Sequence, residues 1–180
     1  MTTQQWLLIT LAALAVFWAL GAHNRLVALR NAIVGACAQL DEPLQRRAAA
    51  LRALVEALRT ALPDEGSAFD AVEATQARLL AAADTLRARP ALAANAAAFS
   101  AAEAASRAAQ ARVLALLEPH RERAGDALAP QLAALREAEQ RLNFARQLFN
   151  EAVRRHNEAV RQFPARLLAA LLGFGAAGTL

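Results

Sequence analysis

The chain opens on an apolar run and then settles into long rows of apolar positions spaced three and four residues apart. Residues 1–22 carry no charge, and Trp6 through Leu20 is almost wholly hydrophobic. A helix over roughly residues 4–23 would rise about 30 Å, the thickness of a bilayer's hydrocarbon layer. Trp6 and Trp18 stand near its two ends, where interfacial aromatics belong, and Arg25 and Arg30 follow on the C-terminal flank. Ala19-Leu20-Gly21 also resembles a signal-peptidase site. A signal peptide, however, needs positive charge before its apolar core, and none precedes this one. The pattern therefore predicts an uncleaved anchor over 1–23. The positive-inside rule puts the N-terminus outside and the rest in the cytoplasm.

Beyond the anchor, Leu26, Leu29, Ile33, Ala36, Leu40, Leu44, Arg47, Leu51, Leu54, Leu58 and Leu62 form a heptad-like seam. It predicts a first helix from the membrane to Leu62, kinked near Pro43. Pro63-Asp64-Glu65-Gly66 stops it, and Ser67 to Asp70 reads as a capping box opening a second helix. Phe69, Val72, Gln76, Leu79, Ala83 and Leu86 are that helix's seam, and Arg89-Pro90 ends it. An Ala-rich third helix follows over roughly 92–118. A turn runs from Glu118-Pro119 to Gly125-Asp126, and a fourth helix starts between Asp126 and Pro130. Its seam runs from Leu128 through Leu135, Glu139, Leu142, Arg146, Phe149, Val153, His156 and Val160 to Phe163, where Pro164 breaks it.

Composition agrees. Of 180 residues 57% are hydrophobic, mostly Ala and Leu, and β-branched runs are missing, which favours helix. The net charge of +4 is mixed along the chain: six Arg against three acids over 1–62, seven against nine over 63–130, seven against four over 131–180. A nucleic-acid-binding face would be a cleaner basic stripe with stacking aromatics, so no nucleic-acid partner is expected. Cys37 is the only cysteine, which rules out an intrachain disulfide and reads as a small packing residue. His23, His120 and His156 have no Glu three residues before them, so a carboxylate-bridged metal pair is not expected. No phosphate loop or nucleophile motif is present. No cofactor, metal, catalytic residue or small-molecule substrate is therefore expected.

The stretch from Glu139 to Val153, containing Phe144, Phe149 and Asn150, continues through His156-Asn157 to Arg161, Phe163-Pro164 and Gly173-Phe174. It resembles the LemA signature, in which two aromatic-Asn pairs a heptad apart precede a Phe-Pro and a Gly-Phe. Asn24-Arg25-Leu26-Val27 and Leu44-Gln45-Arg46-Arg47 resemble the family's juxtamembrane half. The chain departs from the pattern at His156, where an aromatic is usual, and at Glu42-Pro43. The resemblance implies a single-pass protein of a bacterial plasma (inner) membrane, a helical bundle and no established molecular function.

The expected fold is all-α: an N-terminal transmembrane helix (1–23), an antiparallel bundle of about four helices (24–163) with long first and last members, and an apolar tail (164–180). The expected role is a non-enzymatic membrane-anchored scaffold or adaptor, with a lipid-surface role for the tail as the alternative. Asn150, Asn157, Arg161, Phe163, Pro164, Gly173 and Phe174 are its motif residues. Glu139 and Arg146 sit on an apolar seam. They are read as long side chains on a half-open seam, with a buried ion pair to another helix, Arg47 being the candidate partner, as the sharper option. Asn143, Asn150 and Asn157 flank that seam at intervals of seven and could bond across helices. The tail could lie on the membrane or fold back over the bundle. The two middle helices are too short to cover the long pair, so the membrane-proximal seam is expected to stay open and drive self-association or binding of a membrane protein.

Overall fold

The computed structural model describes residues 2–118 and 121–180, with no account of side chains over 121–127. Six α-helices and one 3₁₀ turn make up the described chain: α1 (Thr3–Ala38), α2 (Asp41–Ala61), the turn Pro63–Glu65, α3 (Gly66–Ala88), α4 (Ala93–Leu117), α5 (Arg121–Arg161) and α6 (Ala165–Leu171). No β-sheet pairing occurs among the described residues; residues 174–180 are a single non-helical strand of chain with no sheet partner.

The expected first helix is two. It breaks at Gln39-Leu40, and Pro43 supplies the reason: its ring meets the carbonyl four residues back, that of Gln39, and it has no amide to donate there. The break is tight, because the Leu40 amide bonds the Cys37 carbonyl and the Leu44 amide bonds the Leu40 carbonyl. With α6 as a further short helix, the count of about four is corrected. The capping box is corrected too. The chain is already helical from Pro63, so Ser67 lies inside the first turn of α3 and makes no capping bond. Finally, α5 starts at Arg121, earlier than expected, and runs through Pro130. Ala and Leu on both sides of that proline carry the helix past it. Pro119 and His120, part of the expected turn, lie outside the described residues.

Every seam residue of α1 and α2 is buried except the half-buried Leu29 and Leu62, and the α3 seam is buried throughout. α2 packs on α5 and α3, α3 on α4, and α1 on α5. The apolar core falls into three parts. A distal cluster holds Leu51, Leu54, Leu58, Phe69, Val72, Val113 and Leu135. A proximal one holds Ile33, Leu40, Leu79, Phe99, Leu142, Phe149 and Val153. A small third cluster joins Leu26 of α1 to Ala159 of α5 and Ala169 of α6.

The proximal seam is not left open. Leu26, Ile33, Val153 and His156 are all buried, because α6 and residues 175–180 fold back over them. The helices alone were too short to do this, but the non-helical tail makes up the difference.

Candidate functional site

Three features concentrate the chain's polar and exposed-apolar chemistry: a buried polar layer, a pinned strand and an exposed foot. The layer lies where the distal and proximal cores would otherwise meet, and α2, α3, α4 and α5 each contribute to it. Arg47 of α2 is 1% exposed and points its guanidinium across to α4. Its Nε and Nη2 donate to Gln110 Oε1 at 3.2 and 2.9 Å, and Nη2 also reaches Ser106 Oγ at 3.3 Å. Ser106 in turn donates to Gln76 Oε1 of α3 at 3.0 Å. Gln110 Nε2 donates to Glu139 of α5. Glu103 is buried and takes Arg107 at 2.8 Å and Arg146 at 3.4 Å. Burial pushes the Arg47 guanidinium below its ordinary range, with Glu139 and Glu103 opposing that push. Glu139 and Arg146 are themselves half-buried, as the reading of a partly open seam has it, yet both also bond across helices, as the sharper reading has it. Arg146 pairs with Glu103, however, and Arg47 is linked to Glu139 through Gln110. A cleft of about 290 Å³ opens beside it, lined by Arg47, Arg107, Gln110, Glu139 and Asn143. Nη1 of Arg47 has no acceptor among the described residues.

The second feature explains the asparagines. Asn157 Nδ2 donates to the Ala177 carbonyl at 2.9 Å while its Oδ1 accepts the Ala177 amide at 2.8 Å. Asn150 treats Leu180 the same way, at 2.8 and 2.7 Å. His156 Nε2 lies 3.2 Å from the Gly175 carbonyl and donates to it when protonated there. So the departure at His156 adds a third pin. Asn143, one heptad further on, does not join them and accepts from Arg107.

The foot follows from the rest of the motif. Arg161 is the last residue of α5 and is exposed. Pro164 has no amide to continue α5 and instead caps α6. Gly173 ends α6 with φ at +72°, where the Phe174 amide bonds the Ala169 carbonyl, a Schellman closure that favours glycine. Phe174 then packs edge-on against His23. Phe163, expected as the last seam residue, is 73% exposed, because Pro164 turns the chain just after it. Leu167, Leu171 and Leu172 are exposed with it. This apolar foot sits beside Leu26, only a few residues beyond the proposed span.

Trp6, Trp18 and Arg25 all lie on α1. The helix entering the bundle is long and apolar enough to cross a membrane, and none of its most apolar window is buried. Trp6 and Trp18 are exposed on it, and Arg25 is exposed just after that window. Among the described residues no group of three or more His, Cys, Asp or Glu could hold a metal. Cys37 is buried, and burial pushes its thiol up.

Taken together these features define an all-helical protein with an exposed apolar N-terminal helix and a C-terminal strand locked onto its longest helix. The LemA family model matches residues 36–180, most of the chain, and the protein belongs to the LemA family. No curated protein matches it.

Proposed function

We propose that the protein is a non-enzymatic scaffold or adaptor held in a bilayer by α1, with its N-terminus outside and residues 25–180 on the cytoplasmic side. The observation that carries this reading is the contrast within α1. Its apolar window has no buried residue, yet the same helix enters the core at Leu26 without a break. An apolar helix with nothing packed on it is unstable in water and suited to lipid. Partners on this reading are the bilayer itself and a second copy or another membrane protein. A reporter fused at Leu180 tests the orientation: activity confined to the cytoplasm is expected, and activity only outside the membrane sinks it. Crosslinking in intact membranes, followed by copurification, then identifies the partner protein.

The exposed foot favours a second role at the lipid surface. Phe163, Leu167, Leu171 and Leu172 face away from the bundle at the level of Leu26, beside Arg161 and Arg166. Such a patch buries its apolar side in the headgroup boundary while arginines meet anionic lipid, each contributing on the order of 1 kcal/mol. With Trp6 and Trp18 changed to Phe, a Leu171→Trp probe should be quenched by lipids brominated near the headgroup. Emission unchanged from that of water-exposed tryptophan would rule the contact out.

A further inference from the structure

The strand 175–180 is held in a way that differs from the packing of every helix. Its pins are side-chain amides gripping main-chain amides, so they read the backbone of an extended segment and not its sequence. The register is matched. Asn150 and Asn157 stand a heptad apart, about 10.5 Å along α5. Ala177 and Leu180 are three residues apart, about 10 Å in extended chain. The strand runs antiparallel to α5, with α4 on its other side.

Sequence enters at three places. A Cβ on Gly178 would come within 2.8 Å of the Ala93 Cα of α4 and 3.0 Å of the Ala96 Cβ, so the position demands glycine. Ala177 is buried among the proximal core, where only a small side chain fits. Leu180 packs on the edge of the same core. The groove is thus built for a small-Gly-x-Leu segment presented as extended backbone.

We infer that the α4–α5 groove is an extended-peptide site whose built-in ligand, residues 175–180, passes between copies of this chain. A second copy is the occupant that meets all three requirements by its own sequence. The segment is also placed to leave: it follows the glycine turn at Gly173, and residues 175 and 176 are exposed. The cis segment wins at low density because it is tethered, and a neighbouring copy competes as chains are crowded together. The proposal stands on the groove alone and does not depend on how α1 is oriented.

The test uses two receptors in detergent, the chain ending at Phe174 and the full chain with Gly178→Val, so that one remains if the other fails to fold. The probe is a synthetic Gly-Ala-Ala-Gly-Thr-Leu peptide labelled at its N-terminus and followed by anisotropy. Saturable binding is expected to a receptor of unchanged helical content. It should weaken about tenfold or more for each of Asn150→Ala and Asn157→Ala, and for Val in place of the peptide's second Gly. The unaltered full chain should bind far less, its groove being filled. Mixed with a full chain carrying Asn150→Ala and Asn157→Ala, whose own tail is freed, the receptor should form a heterodimer by light scattering. No saturable binding to either folded receptor, or binding indifferent to the asparagines, overturns the peptide site. Peptide binding without heterodimer overturns the second copy as its occupant.

Discussion

The distal and proximal halves of the bundle bury similar side chains by different means. In the distal half, Leu51, Leu54 and Leu58 meet Phe69, Val72, Val113 and Leu135, and helix faces alone enclose the core. In the proximal half, Ile33, Phe99, Phe149 and Val153 are enclosed only because a non-helical strand completes the wall. Non-directional burial suffices for the first. The second needs directional bonds, since a strand has no partner strand here and its amides must find acceptors and donors elsewhere. Asn150 and Asn157 are that elsewhere. One half is a helix bundle; the other is a helix bundle with a removable part.

That contrast can be broken most severely at the layer dividing the halves. Gln110→Leu removes both Arg47–Gln110 bonds and the donor to Glu139, leaving Arg47 only the Ser106 hydroxyl and two charges without their bridge. It should cost about 3–5 kcal/mol, read by denaturant melts of the full chain in detergent. A cost below about 1 kcal/mol would mean the layer does not hold the halves together. Next in size, Leu54→Ala should cost about 2–5 kcal/mol and loosen the distal half, shown by faster amide exchange along α2 and α3. Asn157→Ala should cost about 1–3 kcal/mol and release the Ala177 amide while distal exchange stays unchanged. Equal changes in both halves would erase the distinction. At the foot, Leu167→Ser with Leu171→Ser should move stability by no more than about 0.5 kcal/mol, since both are exposed already.

The smallest effect uses a native probe. Cys37 is buried in the same proximal core that Ala177 helps to close. Burial raises its pKa, so at a given pH the folded chain holds less thiolate than a free thiol would. Alkylation near pH 8 should therefore be slow, and should speed up in Asn157→Ala but not in Leu54→Ala. Fast labelling of the unaltered chain would place Cys37 at a surface.

Most of the fold was legible because the seams of α1, α2, α3 and α5 stand out against polar neighbours. A bend at Pro43, the end of α3 at Arg89 and the rough extent of α4 were marked by prolines, but that the bend divides two helices was not legible. The polar layer was only half visible. Gln76, Glu139 and Arg146 interrupt clear seams, but Glu103, Ser106 and Gln110 lie on an alanine-rich helix. There a buried stripe from Phe99 to Val113 looks no more apolar than the rest. Spacing was the signal: these three continue a three-four alternation between Phe99 and Val113. The fold-back of the tail was one of two readings left open, but how it is held could not be read, because its bonds join side chains to backbone, and backbone leaves no mark in the residue pattern. The asparagines' spacing was visible, but their partner was not.

The tightness of the Gln39-Leu40 break has a mechanical consequence. α1 passes into α2 with no slack segment, the hydrogen bonds at Leu40 and Leu44 bridging the joint. For a chain seated as proposed, α1 and α2 act as a stiff mast, which sets the far turn near Leu62 about 55 Å beyond Leu26. A bundle on a loose tether would sample many heights and headings. This one is held at a single height, and any tilt or rotation of the membrane span is passed undiminished to the distal end.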